Sequence, residues 1–122
     1  TVPAMSQEYP RRFRVADQLQ RELGSLIRSV RDPRVTGLIT ISGVDVSPDL
    51  GHAKIFVTVI ETGAPEETVA GLNRASGFLR GRLGERLRLR SVPRLVFEYD
   101  PSLDRVERVE RLLRESREDH ES

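Results

Sequence analysis

The stretch VAGLNRASGFLRGRLGERLRLR, residues 69–90, decides how the rest of the chain is read. Val69, Leu72 and Ala75 make an apolar stripe at helical spacing, Ser76-Gly77 interrupts it, and Leu79, Leu83 and Leu87 resume it at spacing four. Two helices meeting at Gly77 are predicted, the first opened by Pro65 with Glu66 and Glu67, acids that a helix dipole favours in its first turn. Between Arg74 and Arg94 stand seven arginines (Arg74, Arg80, Arg82, Arg86, Arg88, Arg90, Arg94) and one acid, Glu85. Arg82, Arg86 and Arg90 are expected in a row at spacing four beside the leucines, with Arg80 and Arg88 off that row. Their stems can cover core edges, as on any solvated helix face. Seven cations with one acid nonetheless find few local partners, which favours a polyanion. The amides that open the second helix attract phosphate, and a glycine permits close approach, so Ala75-Ser76-Gly77 are placed to hold a nucleic-acid backbone.

The segments on either side define the fold. Upstream, Pro10 suits a first helical position, and Ala16, Leu19, Leu23, Leu26, Ile27 and Val30 trace one apolar face, so a helix is predicted from Pro10 to Arg31, closed by Asp32-Pro33. Residues 38–47 read as a strand whose apolar parity switches across Ser42-Gly43, which a bulge explains. The turn-rich residues 47–52 lead to a second strand over 53–60, and the two make an antiparallel hairpin. Leu95, Phe97 and Tyr99 alternate in a third strand closed by Asp100-Pro101, and the helical crossover before it allows a parallel partner in a mixed sheet. Residues 102–113 form a short amphipathic helix capped by Ser102, fading into an acidic tail. The expected organisation is α+β, order α-β-β-α-α-β: a disordered segment 1–9, one domain over 10–101, and a helix with tail over 102–122. Thr1 to Ala4, ahead of Met5, are expected to be an expression remnant.

The chain of 122 residues, 37% apolar and 32% charged, suits one folded domain. Its net charge of +1 conceals an asymmetry. From Glu98 onward five arginines face nine acids, a net of −4, while fifteen basic and ten acidic residues precede, a net of +5. Nineteen of the twenty basic residues are Arg, with Lys54 the exception, and Arg suits planar contacts with phosphate and bases.

Catalytic readings are weak. Without Cys there is no disulfide scaffold, thiol nucleophile or thiolate metal site, and a reducing, cytoplasmic setting is expected. His52 and His120 are too far apart to pair at a metal, and no phosphate-binding loop or dinucleotide fingerprint occurs, so no cofactor and no metal are expected. Asp45 and Asp49 read as strand and turn residues rather than an acid and base pair. No apolar run approaches a membrane span.

The element order resembles a type II KH domain, with Ala75-Ser76-Gly77 where the GxxG loop lies. More closely, residues from Arg14 to Leu113 resemble the ribosome-binding factor A family: Arg14-Val15-Ala16 with Gln20-Arg21-Glu22-Leu23, Asp32-Pro33-Arg34, Val46-Ser47-Pro48-Asp49-Leu50 with His52-Ala53-Lys54, Ala75-Ser76-Gly77-Phe78-Leu79-Arg80, and Leu87-Arg88-Leu89-Arg90 before Val92-Pro93. Arg108-Val109-Glu110 and Leu112-Leu113 match the closing motif, while Val106 stands where glycine is usual. The resemblance implies a non-enzymatic bacterial assembly factor that binds the free, immature 30S subunit and its 16S rRNA. It also implies assistance in late maturation and 5′-end processing, a greater need in the cold, a link to a maturation GTPase, and a monomer that does not engage membranes. By the same resemblance Arg74, Ala75, Ser76, Gly77, Arg80, Arg82, Arg86, Arg88 and Arg90 would face the rRNA. Base stacking is expected to be secondary, since aromatic residues are 5% of the chain. The alternative class is a protein-interaction module whose arginines and terminal helix meet acidic partner surfaces.

Overall fold

The computed structural model describes residues 10–121, with side chains described outside 103–108 and 118–121. The segment expected to be disordered, 1–9, lies outside the described residues. Helices α1 (Arg11–Leu26), α2 (Pro65–Arg74), α3 (Ser76–Arg86) and α4 (Ser102–Glu121) combine with strands β1 (Leu38–Val46), β2 (His52–Ile60) and β3 (Arg94–Tyr99) in the predicted order. The sheet runs β1-β2-β3, antiparallel between β1 and β2 and parallel between β2 and β3. The crossover from β2 to β3 is the α2–α3 pair, which places both helices with α1 on one face of the sheet.

The core lies between them. Val15, Ala16, Leu19, Leu23, Leu26 and Ile27 are buried from α1 and the turn after it, Leu72 from α2, and Leu79 and Leu83 from α3, against Ala53, Ile55, Val57, Val59, Leu95 and Phe97 of the sheet. The parity switch in β1 is a bulge: Ile41 pairs with Val57 and Gly43 with Phe56, leaving Ser42 as the extra residue, so Ile39, Ile41, Val44 and Val46 all reach the core side. Two glycines are required by geometry. Gly37 has φ +86 with the Ile60 carbonyl against the place a Cβ would occupy, and Gly71 lets α2 settle on Val35, whose Cγ2 would stand 2.6 Å from a Cβ there.

Three boundaries differ from the sequence expectation. The first α-helix stops at Leu26, passing through a 3-10 turn at Ile27–Ser29, instead of continuing to Arg31. Ser25 Oγ donates to Glu22 O at 3.1 Å and Ser29 Oγ to Leu26 O at 2.6 Å, so hydroxyls compete for the helix's last carbonyls. Helix α3 ends at Arg86, and Leu87 is extended at φ −108, ψ 141. Leu87 and Leu89 then turn inward while Arg88 and Arg90 are exposed, a period of two that a leucine spacing of four conceals. At the other end α4 continues to Glu121, eight residues past Leu113, through Val106 and the acidic segment. Beyond Pro101 it meets neither Gly nor Pro, and good helix formers such as Leu, Arg and Glu fill it.

Candidate nucleic-acid interface

The junction between α2 and α3 is a single residue. Ala75, at φ −85, ψ 2, donates its amide to Gly71 O and Leu72 O at 3.1 Å each and accepts the Leu79 amide at 2.9 Å, closing one helix and opening the next. The break therefore falls at Ala75, and Gly77 lies one residue inside the first turn of α3 with helical φ. Among the described residues nothing beyond its own helix backbone stands within 4 Å of a Cβ built on Gly77, so its role is to leave the helix start open rather than to permit the bend. Among the described residues no side chain caps α3, and Ser76, Gly77 and Phe78 occupy the positions whose amides lack intrahelical acceptors.

Beside this opening lies a hollow of about 320 Å³ between the segment after α1 and the junction, lined by Ser29, Val30, Arg31, Asp32, Arg74, Ala75 and Phe78. Phe78 is 50% exposed, off the buried Leu79–Leu83 face, and presents a bare aromatic ring. Arg74 is anchored by Asp32, with NH2 3.3 Å from Oδ2. The Arg34 amide, 2.9 Å from Asp32 Oδ1, lowers the Asp32 carboxyl from its ordinary value, desolvation works against it, and the Arg74 guanidinium adds to the lowering. The buried Thr68 hydroxyl lies 3.3 Å from Arg34 O and 3.1 Å from Thr36 O, tying α2 to the loop that carries Arg34. Arg31 and Arg34 are exposed, with no ion pair among the described residues.

The seven-arginine cluster does not form one surface. Arg80 donates Nε to Pro93 O at 3.1 Å and NH2 to Val92 O at 2.8 Å, clamping the segment that feeds β3 onto α3. Arg86 reaches α1, with NH1 3.4 Å from both Glu22 Oε2 and Ser25 Oγ. Arg82 pairs with Glu85 at 3.6 Å on its own helix. Arg88 and Arg90 leave the helix altogether, so the expected Arg82–Arg86–Arg90 row is broken after Arg86. Among the predicted site residues the structure brings together Arg74, Ala75, Ser76 and Gly77 at the junction and sets Arg88 and Arg90 apart on the extended segment.

Sequence reasoning missed Arg31, Arg34 and the exposure of Phe78. The signal for Phe78 was present, since it falls outside the spacing-four leucine stripe. It also missed Asn73, whose Nδ2 donates to Phe97 O at 3.0 Å and whose Oδ1 accepts the Phe97 amide at 2.8 Å, closing the outer edge of β3 as a neighbouring strand would. Among the described residues no cluster of three or more His, Asp or Glu could hold a metal ion, and no helix is long and apolar enough to cross a membrane.

An open helix junction and a hollow beside an exposed aromatic ring, on an α-β-β-α-α-β frame with a mixed three-stranded sheet, define a KH-like α+β domain. Residues 11–113 match the family model described as Ribosome-binding factor A. Ribosome-binding factor A of Pseudomonas syringae pv. syringae is 51% identical over 113 residues, covering 89% of this chain and 81% of that one. The protein of that name from Alkalilimnicola ehrlichii is 50% identical over 119 residues, covering 94% and 90%. Among solved structures, the crystal structure of ribosome-binding factor A from Thermus thermophilus superposes with TM-score 0.64 at 31% identity, covering 72% of this chain and 93% of that one. A Thermus thermophilus homology model fitted into a cryo-electron-microscopy map of a complex with the 30S subunit gives TM-score 0.59 at 31% identity, covering 70% and 91%. This chain belongs to the ribosome-binding factor A family, whose members are non-catalytic, ribosome-associated factors.

Proposed function

We propose that this protein binds the immature 30S subunit through its 16S rRNA, holds a precursor conformation, and so assists late maturation, including processing of the 5′ end, with the greatest need in the cold. Binding that discriminates between immature and mature subunits carries such a role, because a ligand shifts an equilibrium only by its differential affinity. The reading has the protein acting in the cytoplasm as a monomer, released with the help of a maturation GTPase. One observation carries the RNA contact: the uncapped start of α3, with open space at Gly77, faces out beside the hollow that holds Arg74 and Phe78. Backbone amides and the helix dipole would take a phosphate there, and Phe78 with Arg31 and Arg34 would take the adjoining nucleotide. Ala75 positions that start, Arg80 and Arg86 hold α3 in place, and Arg82, Arg88 and Arg90 supply further positive charge to the RNA.

Gly77→Glu tests the contact with effects of opposite sign. The side chain enters open space, a glutamate in a first turn favours the helix, and leaving glycine adds about 0.5–1 kcal/mol of helix propensity, so stability should hold or rise. The new carboxylate repels phosphate, so binding to purified 30S subunits should fall at least tenfold. Binding that survives in a stable G77E protein rules out the junction as the contact. For the cellular role, the protein should sediment with free small subunits and be scarce on polysomes. Cells lacking it should accumulate precursor 16S rRNA after a cold shift, and normal processing there refutes the maturation role.

A further inference from the structure

The hydrogen bonds and ion pairs tie Arg74, Arg80, Arg82 and Arg86; of the arginines they leave out, Arg31 and Arg34 lie by the junction and another group lies at the opposite end of α1. Arg11, Arg12, Arg88, Arg90 and Arg94 take part in no ion pair among the described residues, and the Arg12 guanidinium lies 5.0 Å over the Phe13 ring, its face still open to an anion. Arg11 and Arg90 line one hollow of about 150 Å³ with Ser91, between the start of α1, the β1–β2 turn and the extended segment after α3. Arg11 and Arg12 line an adjoining hollow against Pro48 and Asp49, so the two form one continuous basic end. Asp49 is the acid within it, and its Oδ1 already accepts the Ser47 hydroxyl at 2.6 Å and the Gly51 amide at 2.9 Å, contacts that also keep its carboxyl below the usual range. The first turn of α1 carries Arg11 and Arg12 and no acid, with no side-chain cap among the described residues. Cations at that end oppose the helix dipole, and an anion seated between them reverses the penalty.

This end is far from the junction. α1 has 16 residues, about 24 Å at 1.5 Å per residue, and the junction hollow is lined by Ser29 to Asp32, past its other terminus. That distance corresponds to about seven nucleotides of stacked strand at 3.4 Å each, while a KH loop clamps about four. One short strand held at the junction does not reach the basic end. We propose that Arg11, Arg12 and Arg90 form a second RNA-backbone contact, so that the protein bridges two RNA segments from opposite ends of α1. This rests on the RNA-binding reading above and extends it from one site to two.

The test titrates the full chain with the tetranucleotide U4 at low salt, following backbone amide shifts, and compares U24 by fluorescence anisotropy. Wild type should show two separate U4 sites, one around Ser76–Phe78 and one around Arg11 and Arg90. Arg11→Gln with Arg90→Gln, which removes charge but keeps polar stems, should lose only the second site. G77E should lose only the first. U24, able to reach both, should bind at least about tenfold tighter than U4, and R11Q/R90Q should cancel that gain. Arg11→Lys with Arg90→Lys keeps the charges and should retain it. A single U4 site in wild type, or two in R11Q/R90Q, overturns the proposal and would leave this end to an acidic protein or to no partner. Two sites that both survive G77E, with one lost in R11Q/R90Q, support the proposal and refute the junction contact instead.

Discussion

Replacing Arg80 by Ala should destabilise the protein, although Arg80 belongs to a cluster that reads as solvent-facing. Its guanidinium makes two charge-assisted hydrogen bonds, to Pro93 O at 3.1 Å and Val92 O at 2.8 Å. Pro93 is fully buried, and the next residue, Arg94, opens β3 with its amide bonded to Gly51 O at 2.9 Å. The clamp thus sets where the parallel strand begins. Hydrogen bonds to charged groups contribute about 1.5–3 kcal/mol each when desolvated, but Arg80 is exposed and water can reach at least one carbonyl. Discounting for that, and for the good helix propensity of Ala, the loss should be about 1–2.5 kcal/mol. For a domain of this size, that lowers Tm by about 4–10 °C. Urea denaturation followed by circular dichroism at 222 nm should show the midpoint falling with an unchanged slope, since the folded state stays compact. Arg80→Lys should recover less than half, because a single ammonium cannot span both carbonyls as the planar fork does. Arg88→Ala, on an exposed residue without an ion pair, should change stability by less than about 0.5 kcal/mol. If R80A and R88A are indistinguishable, the separation of tied from free arginines is wrong.

Gly71→Ala would place a Cβ 2.6 Å from Val35 Cγ2, so strain should outweigh the gain in helix propensity and cost about 1–2 kcal/mol net by urea titration. The Asp32 carboxyl is held below its ordinary value in the fold. Its stabilisation is therefore fully present above the unfolded-state value of about 3.9 and is lost as pH falls through the folded-state value. Asp32→Asn should accordingly flatten the pH dependence of stability below about pH 4, with no matching change above neutrality. Removing residues 114–122, which hold two arginines and four acids, should leave Tm unchanged and RNA affinity unchanged or raised. A clear fall in affinity at constant Tm would show that the terminal helix itself touches RNA.

The fold was legible wherever one period ruled a segment. The α1 stripe, the alternation of β2 and β3 and even the bulge at Ser42 follow from which residues must face a single core. Legibility failed where two periods fit the same letters. Leu83, Leu87 and Arg82, Arg86, Arg90 satisfy spacing four, yet Leu87-Arg88-Leu89-Arg90 also alternates, and the extended form won because it lets Leu87 and Leu89 pack on the core while the chain turns toward β3. At the site the sequence located the junction to within two residues, through the interruption at Ser76-Gly77. It did not show which arginines were free, because their partners lie far away in sequence: Glu22 for Arg86, Asp32 for Arg74, and main-chain carbonyls for Arg80. A count of charges along the chain carries no information about such pairings.

That division of labour bears on how such a protein can let go. An arginine already held by a carboxylate or carbonyl keeps its geometry whether or not RNA is present, so it lends shape and loses little entropy on binding. A free arginine meets phosphate at the expense of its own mobility and gains by releasing counterions, which grades its contribution with salt. If junction amides and free guanidinium groups hold RNA at two ends as proposed, neither contact must be strong for the pair to hold. Loss of either end, through a rearrangement that moves one RNA segment relative to the other, then returns the protein to single-site affinity. A factor built this way would sense the relative position of two RNA segments, and a maturation GTPase that moves one segment relative to the other would release it without any change in the protein itself.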